Sequence, residues 1–189
     1  MYIFGFRIAE PDFSEIDPDS TLVSFYRVRK AVFIDGLKWN LDHKNGLEID
    51  QFDNEQAYYS LVLRRNQIAM AARGHKINTE DPDSALIQYL FLDYPELETP
   101  ISSNDWDVTR LCINPSLKLN GLSKAIGFIA LFFLQKTKAR SLECQRMIAV
   151  SHPKISKHFS RIGIKTNQIS QTVTIRETGS KMAVFEFPL

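Results

Sequence analysis

Cysteines are few in this chain and long apolar runs are absent, which narrows the class of protein. The 189 residues include two cysteines, Cys112 and Cys144, in apolar surroundings and without CxxC spacing. This indicates reduced core thiols in a cytoplasmic protein and neither a disulfide framework nor a metal site. The most apolar run, residues 126–134, is about half the ~20 residues that a membrane span requires, so no membrane contact is expected.

The sequence also lacks the features that divide a chain into domains or send it out of the cell. It has no internal repeat, low-complexity tract or long Pro/Gly/Ser linker. The N-terminal residues 1–7 have no basic leader before an apolar stretch and are more typical of a first strand than of a signal peptide. With 44% apolar residues, residues 1–189 are predicted to form a single domain.

The net charge of +1 conceals an acidic half and a basic half. Residues 1–107 carry 10 Lys/Arg and 19 Asp/Glu, whereas residues 108–189 carry 13 and 3. The basic stretch 136–165 is either a docking surface for an anionic partner or a solvated helix face. Stacking aromatics are not interleaved with its basic residues, so no nucleic-acid partner is expected.

Hydrophobic periodicity predicts an α/β fold. The elements predicted are a helix over 20–39 capped by Asp19 or Ser20, a hairpin of 57–64 and 67–73, a loop over 74–84, a short helix or strand over 86–92, a central strand over 106–113, a helix over 122–138, a strand over 146–150, a helix ending near 161, and strands over 172–176 and 182–187. This order predicts a mixed central sheet with helices on both faces, an αβα sandwich.

An acidic segment follows the first predicted helix. Residues 46–53 contain Glu48, Asp50 and Asp53, three carboxylates within six positions. Asp50 and Asp53 would share one side of a turn, where an arginine or a cationic ligand must relieve their repulsion. The segment is therefore a candidate site for a cationic small molecule.

The surrounding residues complete a recognisable pattern, which resembles the acyl-homoserine lactone synthases, the autoinducer-making enzymes of bacteria. That family's motif is an Arg-xxx-Phe, a Trp, a Glu-x-Asp-xx-Asp, an Arg, and a Glu-x-(Ser/Thr)-Arg. The chain matches it, in order, at Arg29 and Phe33, Trp39, Glu48, Asp50 and Asp53, Arg73, and Asp107, Thr109 and Arg110. The resemblance covers about residues 20–165 and also implies a GNAT-like acyltransferase fold.

The resemblance implies that S-adenosylmethionine is N-acylated by an acyl carrier protein thioester and then lactonised, with release of methylthioadenosine. S-adenosylmethionine would be a co-substrate, and no cofactor is expected. Its binding residues would be Arg29, Phe33, Trp39, Asp50, Asp53 and Arg73. Glu48, Asp107 and Arg110 would be catalytic, with Glu48 as the base for the amine.

Two departures from the family and its fold relatives stand out. Asp107 replaces the usual glutamate, and its shorter side chain withdraws the carboxylate by one methylene. A bulge near residues 108–109 is also predicted, because Asp107 and Arg110 would otherwise face opposite sides of a strand. The turn of residues 119–124 has one glycine, where the GNAT enzymes hold the coenzyme A pyrophosphate on a glycine-rich turn. The second departure favours a carrier-protein donor.

The resemblance also suggests where the acyl donor binds. An acyl pocket is predicted to be lined by Phe128, Phe132, Met147, Ala149 and Val150. The acidic carrier protein is predicted to dock on Arg140, Arg146, Lys154, Lys157 and Arg161. Acyl length and oxidation at the third carbon stay open.

Two other functions fit the same residues. A GNAT-like N-acyltransferase that uses acyl-coenzyme A and another amine would keep the fold and lose the sulfonium site. A non-catalytic S-adenosylmethionine-binding relative would keep the site and lose turnover. Methylthioadenosine and lactone formation distinguish both from the synthase.

Overall fold

The structure is a computed structural model that describes residues 2–3, 5–13, 20–176 and 178–189. It divides into two compact units, which are described one at a time. The first comprises Met1–Arg73 and Arg110–Gln135, and the second comprises Gly74–Thr109 and Lys136–Leu189. That residues 1–189 act as one domain stays a prediction.

The first unit combines an antiparallel sheet with three helical segments. Its elements are β1 (Tyr2–Ile3), β2 (Phe6–Ala9), α1 (Thr21–Arg29), a π-helical segment (Lys30–Gly36), β3 (Tyr58–Arg64), most of β4 (Gln67–Lys76), the end of β5 (Asp105–Ile113) and most of α3 (Gly121–Ser141). The strands lie in the order β1-β2-β3-β4. Strand β2 pairs antiparallel with β1 and with β3.

The hairpin predicted between residues 57 and 73 is confirmed. Arg65 and Asn66 form its two-residue turn, with φ angles of +51° and +61°. Positive φ at both central residues matches the right-handed twist of paired strands, and asparagine tolerates it well. Strand β4 continues to Lys76, so the loop predicted from residue 74 begins later than expected.

The first helix differs from its prediction at its end. The Ser20 side chain accepts a hydrogen bond from the Val23 amide at 3.2 Å, and α-helical geometry ends at Arg29; Asp19 lies outside the described residues. The chain then forms the π-helical segment, after which Lys38 has a φ of +60°. Trp39 is therefore not helical, because the left-handed residue before it stops the helix.

The first unit's sheet has an apolar core on each face. On one face Leu61 and Leu63 of β3 pack with residues of α1, and on the other Val62 packs with residues of α3. Alternate residues of a strand point to opposite faces, which explains this division. A Cβ on Gly127 would lie 2.4 Å from Met70 Sδ, so glycine permits the close approach of α3 to β4.

The second unit is a mixed sheet with short helices. Its elements are α2 (Leu86–Asp93), a 3₁₀ turn (Pro95–Leu97), the first part of β5, β6 (Arg146–Ser151), α4 (Ile155–Arg161), β7 (Asn167–Gln168), β8 (Val173–Thr174) and β9 (Lys181–Pro188), with the ends of β4 and α3. β5 and β6 are parallel, and β9 is antiparallel to β6, β7 and β8. Residues 86–92, left open above, are helical, and the strand expected over 172–176 is limited to Val173–Thr174.

Strand β5 contains an irregularity close to the predicted bulge. The Ile77 amide donates to the Asp105 carbonyl, and the Asn114 amide donates to the Ala69 carbonyl, both at 3.0 Å. Between these two hydrogen bonds the chain advances nine positions on β5, from Asp105 to Asn114, but only eight on the β4 side, from Ala69 to Ile77. Strand β5 therefore has one extra residue. Arg110, with a φ of +53°, is the left-handed residue in this stretch.

The pairing of β6 is uneven along its length. Its register with β5 runs from Asp105↔Arg146 to Asp107↔Ile148, whereas its register with β9 continues to Ser151. The second half of β6 is therefore hydrogen-bonded on the β9 side. Among the helices that the structure describes, none has the length and apolarity to cross a membrane.

Candidate active site

Three arginines and three carboxylates form one buried ion-pair cluster in the first unit. Arg29 ends α1, Arg73 is on β4, and Arg110 is on β5. The acids, Glu48, Asp50 and Asp53, come from the loop before β3. Helix and strand spacing in the sequence does not place these elements together. They meet because α1 and the loop pack on the sheet.

Arg29 is the central cation, with no exposed surface. Its Nε donates to Glu48 Oε2, and its Nη1 donates to both Asp53 oxygens, at 2.6 and 2.8 Å. The guanidinium carbon lies 5.3 Å from the ring centroids of both Phe25 and Tyr26. Burial lowers the pKa of Arg29, but the Asp53 and Glu48 carboxylates outweigh burial and hold the pKa above its ordinary value.

Asp50 is shared by three arginines and is the most exposed acid of the cluster. Arg73 donates to its Oδ1 at 2.5 Å and Oδ2 at 3.1 Å, and Arg110 donates to Oδ2 at 2.7 Å. Burial raises the pKa of Asp50. The nearby charges of Arg73 and Arg110 lower that pKa by more than burial raises it and hold it well below its usual range. Its side chain is 18% exposed, against 1% for Glu48 and 0% for Asp53.

Asp53 holds the acidic loop in shape as well as binding arginine. Its Oδ2 accepts from the Asp50 amide at 2.9 Å, and its Oδ1 contacts Arg73 Nη1 at 2.9 Å. Tyr59 also donates to Oδ1, at 3.1 Å, and Tyr26 donates to the Tyr59 oxygen at 3.3 Å. Burial and the Asp53 charge raise the pKa of Tyr26 to about 12, so its hydroxyl stays protonated at neutral pH.

Both oxygens of Glu48 are engaged by guanidinium groups. Oε2 accepts from Arg29, and Oε1 accepts from Arg110 Nε at 3.2 Å and Nη2 at 3.0 Å. The residue is 1% exposed, so a solvated loop acid is excluded. A base role would require Glu48 to exchange one of these partners for the substrate.

The two predicted aromatic residues stack beside the cluster. The Phe33 and Trp39 rings lie 5.1 Å apart at an interplanar angle of 24°. The Arg110 guanidinium carbon is 5.6 Å from the Phe33 centroid. Phe33 is thus both part of the buried core and a cation–π partner of the cluster.

Comparison of the sequence with known protein families identifies the family of this chain. The sequence pattern of the autoinducer synthases matches residues 14–187. The chain belongs to the autoinducer synthase family. The predicted acyltransferase activity of the acyl-homoserine-lactone synthase type is therefore confirmed.

The relatives agree in sequence and in fold. An acyl-homoserine-lactone synthase from Aeromonas hydrophila is 25% identical over 89% of this chain and 78% of its own length. Two solved structures share the fold: BjaI, described as a CoA-dependent acyl-homoserine lactone synthase with SAM and isopentyl-CoA, and TofI, in a ternary complex with an inhibitor and MTA. BjaI superposes with a TM-score of 0.76 at 14% identity, over 97% of this chain and 83% of BjaI. TofI superposes with 0.73 at 22% identity, over 97% and 90%. The predicted GNAT-like α/β fold is confirmed.

Asp107, the residue that departs from the family motif, lies at the start of a helix. Its Oδ2 accepts a hydrogen bond from the Ile87 amide at 3.1 Å. The N-cap of α2 is Ala85, which provides no capping side chain, so the Asp107 carboxylate fills that role from a distant strand. Asp107 belongs to the second unit and Arg110 to the first. Their predicted joint catalytic use stays a prediction.

The predicted acyl-pocket residues divide between the two units and, on β6, between the two faces of the strand. Phe128 packs with the α3 core of the first unit. On β6, Val150 packs in the core that contains Ile148, whereas Met147 and Ala149 alternate with it and point to the other face. Val150 is therefore on the wrong face to line a pocket with Met147 and Ala149; the assignment of Phe128, Phe132, Met147 and Ala149 to the acyl pocket stays a prediction.

The predicted docking residues also divide. Arg140, Lys154, Lys157 and Arg161 are exposed. Arg146 is instead paired within the second unit: it contacts Asp105 at 3.0 Å and Glu186 at 3.1 Å, and it donates to the Pro100 carbonyl at 2.5 Å. These partners already bind its guanidinium, so Arg146 differs from the four exposed residues, and its place in the docking surface stays a prediction.

The sequence reasoning missed the tyrosines that support Asp53. In residues 57–64, Tyr59 is indistinguishable from any strand-forming aromatic, and Tyr26 is indistinguishable from helix core. Phe52 was missed as well; its ring centroid lies 5.7 Å from the Arg73 guanidinium carbon. Over the described part of the chain, no cluster of three or more His, Cys, Asp or Glu residues could hold a metal ion.

Proposed function

We propose that this chain N-acylates S-adenosylmethionine from an acyl thioester and closes the product to an acyl-homoserine lactone, releasing methylthioadenosine. The observation that carries the proposal is the buried cluster of three arginines and three carboxylates beside the Phe33–Trp39 stack. The methionine part of the substrate has an ammonium, a carboxylate and a sulfonium. Acids, guanidinium groups and aromatic faces are the partners that these three groups require.

Within this proposal the cluster divides the work of binding. Asp50 receives the ammonium, because it is the cluster's most accessible acid. Arg110 or Arg73, released from Asp50, receives the substrate carboxylate, and the Phe33–Trp39 stack faces the sulfonium. Asp53 and Arg29 are more deeply buried and hold the other groups in place.

The catalytic step needs little basic help from the protein. An α-amine with a pKa near ~8 is partly deprotonated at neutral pH. Glu48 can accept its proton, directly or through water, only after exchanging a guanidinium partner. A Glu48→Gln variant tests this role: loss of a base lowers kcat most below the amine pKa, whereas loss of positioning lowers kcat evenly across pH.

We propose an acyl carrier protein as the donor. Arg140, Lys154, Lys157 and Arg161 are exposed cationic residues of the second unit, and their charge suits an acidic protein. BjaI is described as CoA-dependent, so coenzyme A thioesters are the second candidate. The product would be a quorum-sensing signal made in the cytoplasm.

The test is incubation with S-adenosylmethionine and either acyl carrier proteins or acyl-coenzyme A thioesters of several chain lengths. Mass spectrometry should detect methylthioadenosine and the lactone in equal amounts. The Asp53→Asn variant is the matched control. It removes a charge of the cluster with almost no change in volume, so it should form less methylthioadenosine and lactone than the wild type.

Each rival predicts a different result. Binding of S-adenosylmethionine without lactone from any donor would make the chain a non-catalytic relative and overturn the proposal. Acylation of another amine, without methylthioadenosine, would indicate a GNAT-like acyl-coenzyme A transferase.

A further inference from the structure

Phe52 contacts both partners of the Asp50–Arg73 ion pair. Its amide donates to Asp50 Oδ1 at 3.0 Å, and its ring centroid lies 5.7 Å from the Arg73 guanidinium carbon. Arg73 Nη1 donates to the same Asp50 oxygen at 2.5 Å. Phe52 is 2% exposed, so its ring meets the guanidinium away from water, where a cation–π contact is worth more than in solvent.

The turn that carries Phe52 is closed by the acids of the cluster. The Asp50 amide donates to Asp53 Oδ2 at 2.9 Å, and the Asp53 amide donates to the Asp50 carbonyl at 3.0 Å. Asp53 is itself paired with Arg29 and Arg73. The backbone on both sides of Phe52 is therefore hydrogen-bonded, which fixes the position from which its ring projects.

The two carboxylate oxygens of Asp50 have different kinds of partner. Oδ1 accepts from the Phe52 amide as well as from Arg73. The hydrogen bonds that the structure describes at Oδ2 all come from guanidinium groups, with Arg110 at 2.7 Å, Arg73 at 3.1 Å and Arg29 at 3.5 Å. A cationic ligand can therefore replace an arginine at Oδ2 while the Phe52 amide holds Oδ1.

Arg73 and Arg110 are held to Asp50 in different ways. Arg73 donates to both Asp50 oxygens and also contacts Asp53 Oδ1 at 2.9 Å. Arg110 donates to Asp50 at Oδ2, and the Glu48 carboxylate remains its partner when that bond opens. The Arg110 side chain is also the more accessible, 7% exposed against 0% for Arg73. Arg110 is therefore the guanidinium that a ligand displaces at the smaller cost.

We propose that Phe52 is a positioning residue, which keeps Arg73 on Asp50 while Arg110 yields Oδ2 to the ammonium of the substrate. An ammonium that reaches Asp50 competes with Arg73 for the same negative charge. The Phe52 ring attracts the guanidinium without competing for the carboxylate, so it holds Arg73 in place during the exchange. The inference rests on the proposed function for the identity of the ligand, but the Phe52–Arg73 contact requires no ligand.

The first test therefore uses the protein without ligand. Phe52→Met replaces the ring by an apolar side chain, and Arg73→Lys keeps the charge but removes the planar guanidinium. Urea unfolding of the wild type, the two single variants and the double variant forms a mutant cycle. Each single variant should raise the equilibrium constant of unfolding, and the double variant should fall short of the product of the two effects by about threefold or more.

The control cycle replaces Phe52→Met by Phe6→Met. Phe6 is also buried, but it packs in the core on the α3 face of the sheet. Its effect should multiply with that of Arg73→Lys to within about twofold. Equal coupling in both cycles, or coupling in neither, would overturn the contact as a positioning device.

The second test is calorimetric titration with S-adenosylmethionine, and it needs the single phenylalanine variants alone. Phe52→Met should bind about tenfold more weakly than wild type, and Phe6→Met should stay within about twofold. At saturating S-adenosylmethionine, kcat of Phe52→Met should stay within about twofold of wild type, because positioning for binding changes KM. Unchanged affinity, or a loss in kcat at unchanged KM, would overturn the role in binding. If the wild type binds no S-adenosylmethionine, the proposed function is wrong, and the unfolding cycles still decide the Phe52–Arg73 contact.

Discussion

Tyr59, on β3, donates a hydrogen bond to Asp53 Oδ1 in the loop before that strand, at 3.1 Å. No helix or turn spacing in the sequence predicts this contact. Tyr26 extends this chain by donating to the Tyr59 oxygen at 3.3 Å. Asp53 in turn binds Arg29 and Arg73. Two neutral tyrosine hydroxyls thus support the carboxylate that binds both arginines.

The Tyr59→Phe variant tests that relationship. It leaves a buried carboxylate with one donor fewer, so the free energy of unfolding should fall by about 1–3 kcal/mol, and S-adenosylmethionine should bind more weakly. Urea unfolding and calorimetry measure the two effects. Tyr58→Phe is the control: the Tyr58 hydroxyl donates to exposed Glu10, so that variant should alter neither quantity to the same degree. Equal effects of both substitutions would contradict the role of Tyr59.

Asp50 should make stability depend on pH in acid. Its folded-state pKa is depressed by the arginines, so its contribution is present above the unfolded pKa of ~3.9 and is lost as pH falls from there toward the folded pKa. The stability difference between wild type and Asp50→Asn should therefore be largest near neutral pH and shrink below about pH 4. Urea unfolding across pH measures it. A difference that stays constant down to pH 3 would contradict the assignment.

Asp107 should matter for stability through the first turn of α2. Asp107→Ala removes the cap and should cost about 1–2 kcal/mol, whereas Asp107→Asn keeps an acceptor and should cost less. If capping is its whole role, S-adenosylmethionine turnover per folded molecule stays unchanged in Asp107→Asn. A large fall in kcat with normal stability would instead support the catalytic role predicted from the family motif.

The docking surface predicts a separation between binding of the donor and binding of S-adenosylmethionine. Lys154→Glu/Lys157→Glu should raise the KM for acyl carrier protein several-fold, more at low salt, and leave S-adenosylmethionine affinity unchanged. Arg146→Gln should instead lower stability, because Asp105 and Glu186 lose their ion pair with Arg146. Steady-state kinetics and thermal unfolding distinguish them. A rise in KM from Arg146→Gln at unchanged stability would instead support the predicted place of Arg146 in the docking surface.

Several elements could be predicted because their signals are local. The hairpin at Arg65–Asn66, the central strand and the long helix α3 each follow from alternation, helical spacing or turn residues. The end of α1 could not, because a π-helical segment and a left-handed Lys38 depend on what packs around them. The opposite faces of Val150 and its neighbour Ala149 have a different origin, since strand alternation is a local rule that already separates adjacent residues of β6.

The order of residue types along the chain was sufficient to predict the family and the arginines, acids and aromatic residues that meet in the buried cluster. This is possible because a sequence motif is defined by residue types and their spacing, which are visible without the folded structure. How the three acids, Glu48, Asp50 and Asp53, are buried and paired became clear from the folded structure alone. Glu48 and Asp53 are enclosed by guanidinium groups and tyrosine, and Asp50 keeps an exposed edge. Burial and pairing arise from elements distant in sequence, so no local pattern records them.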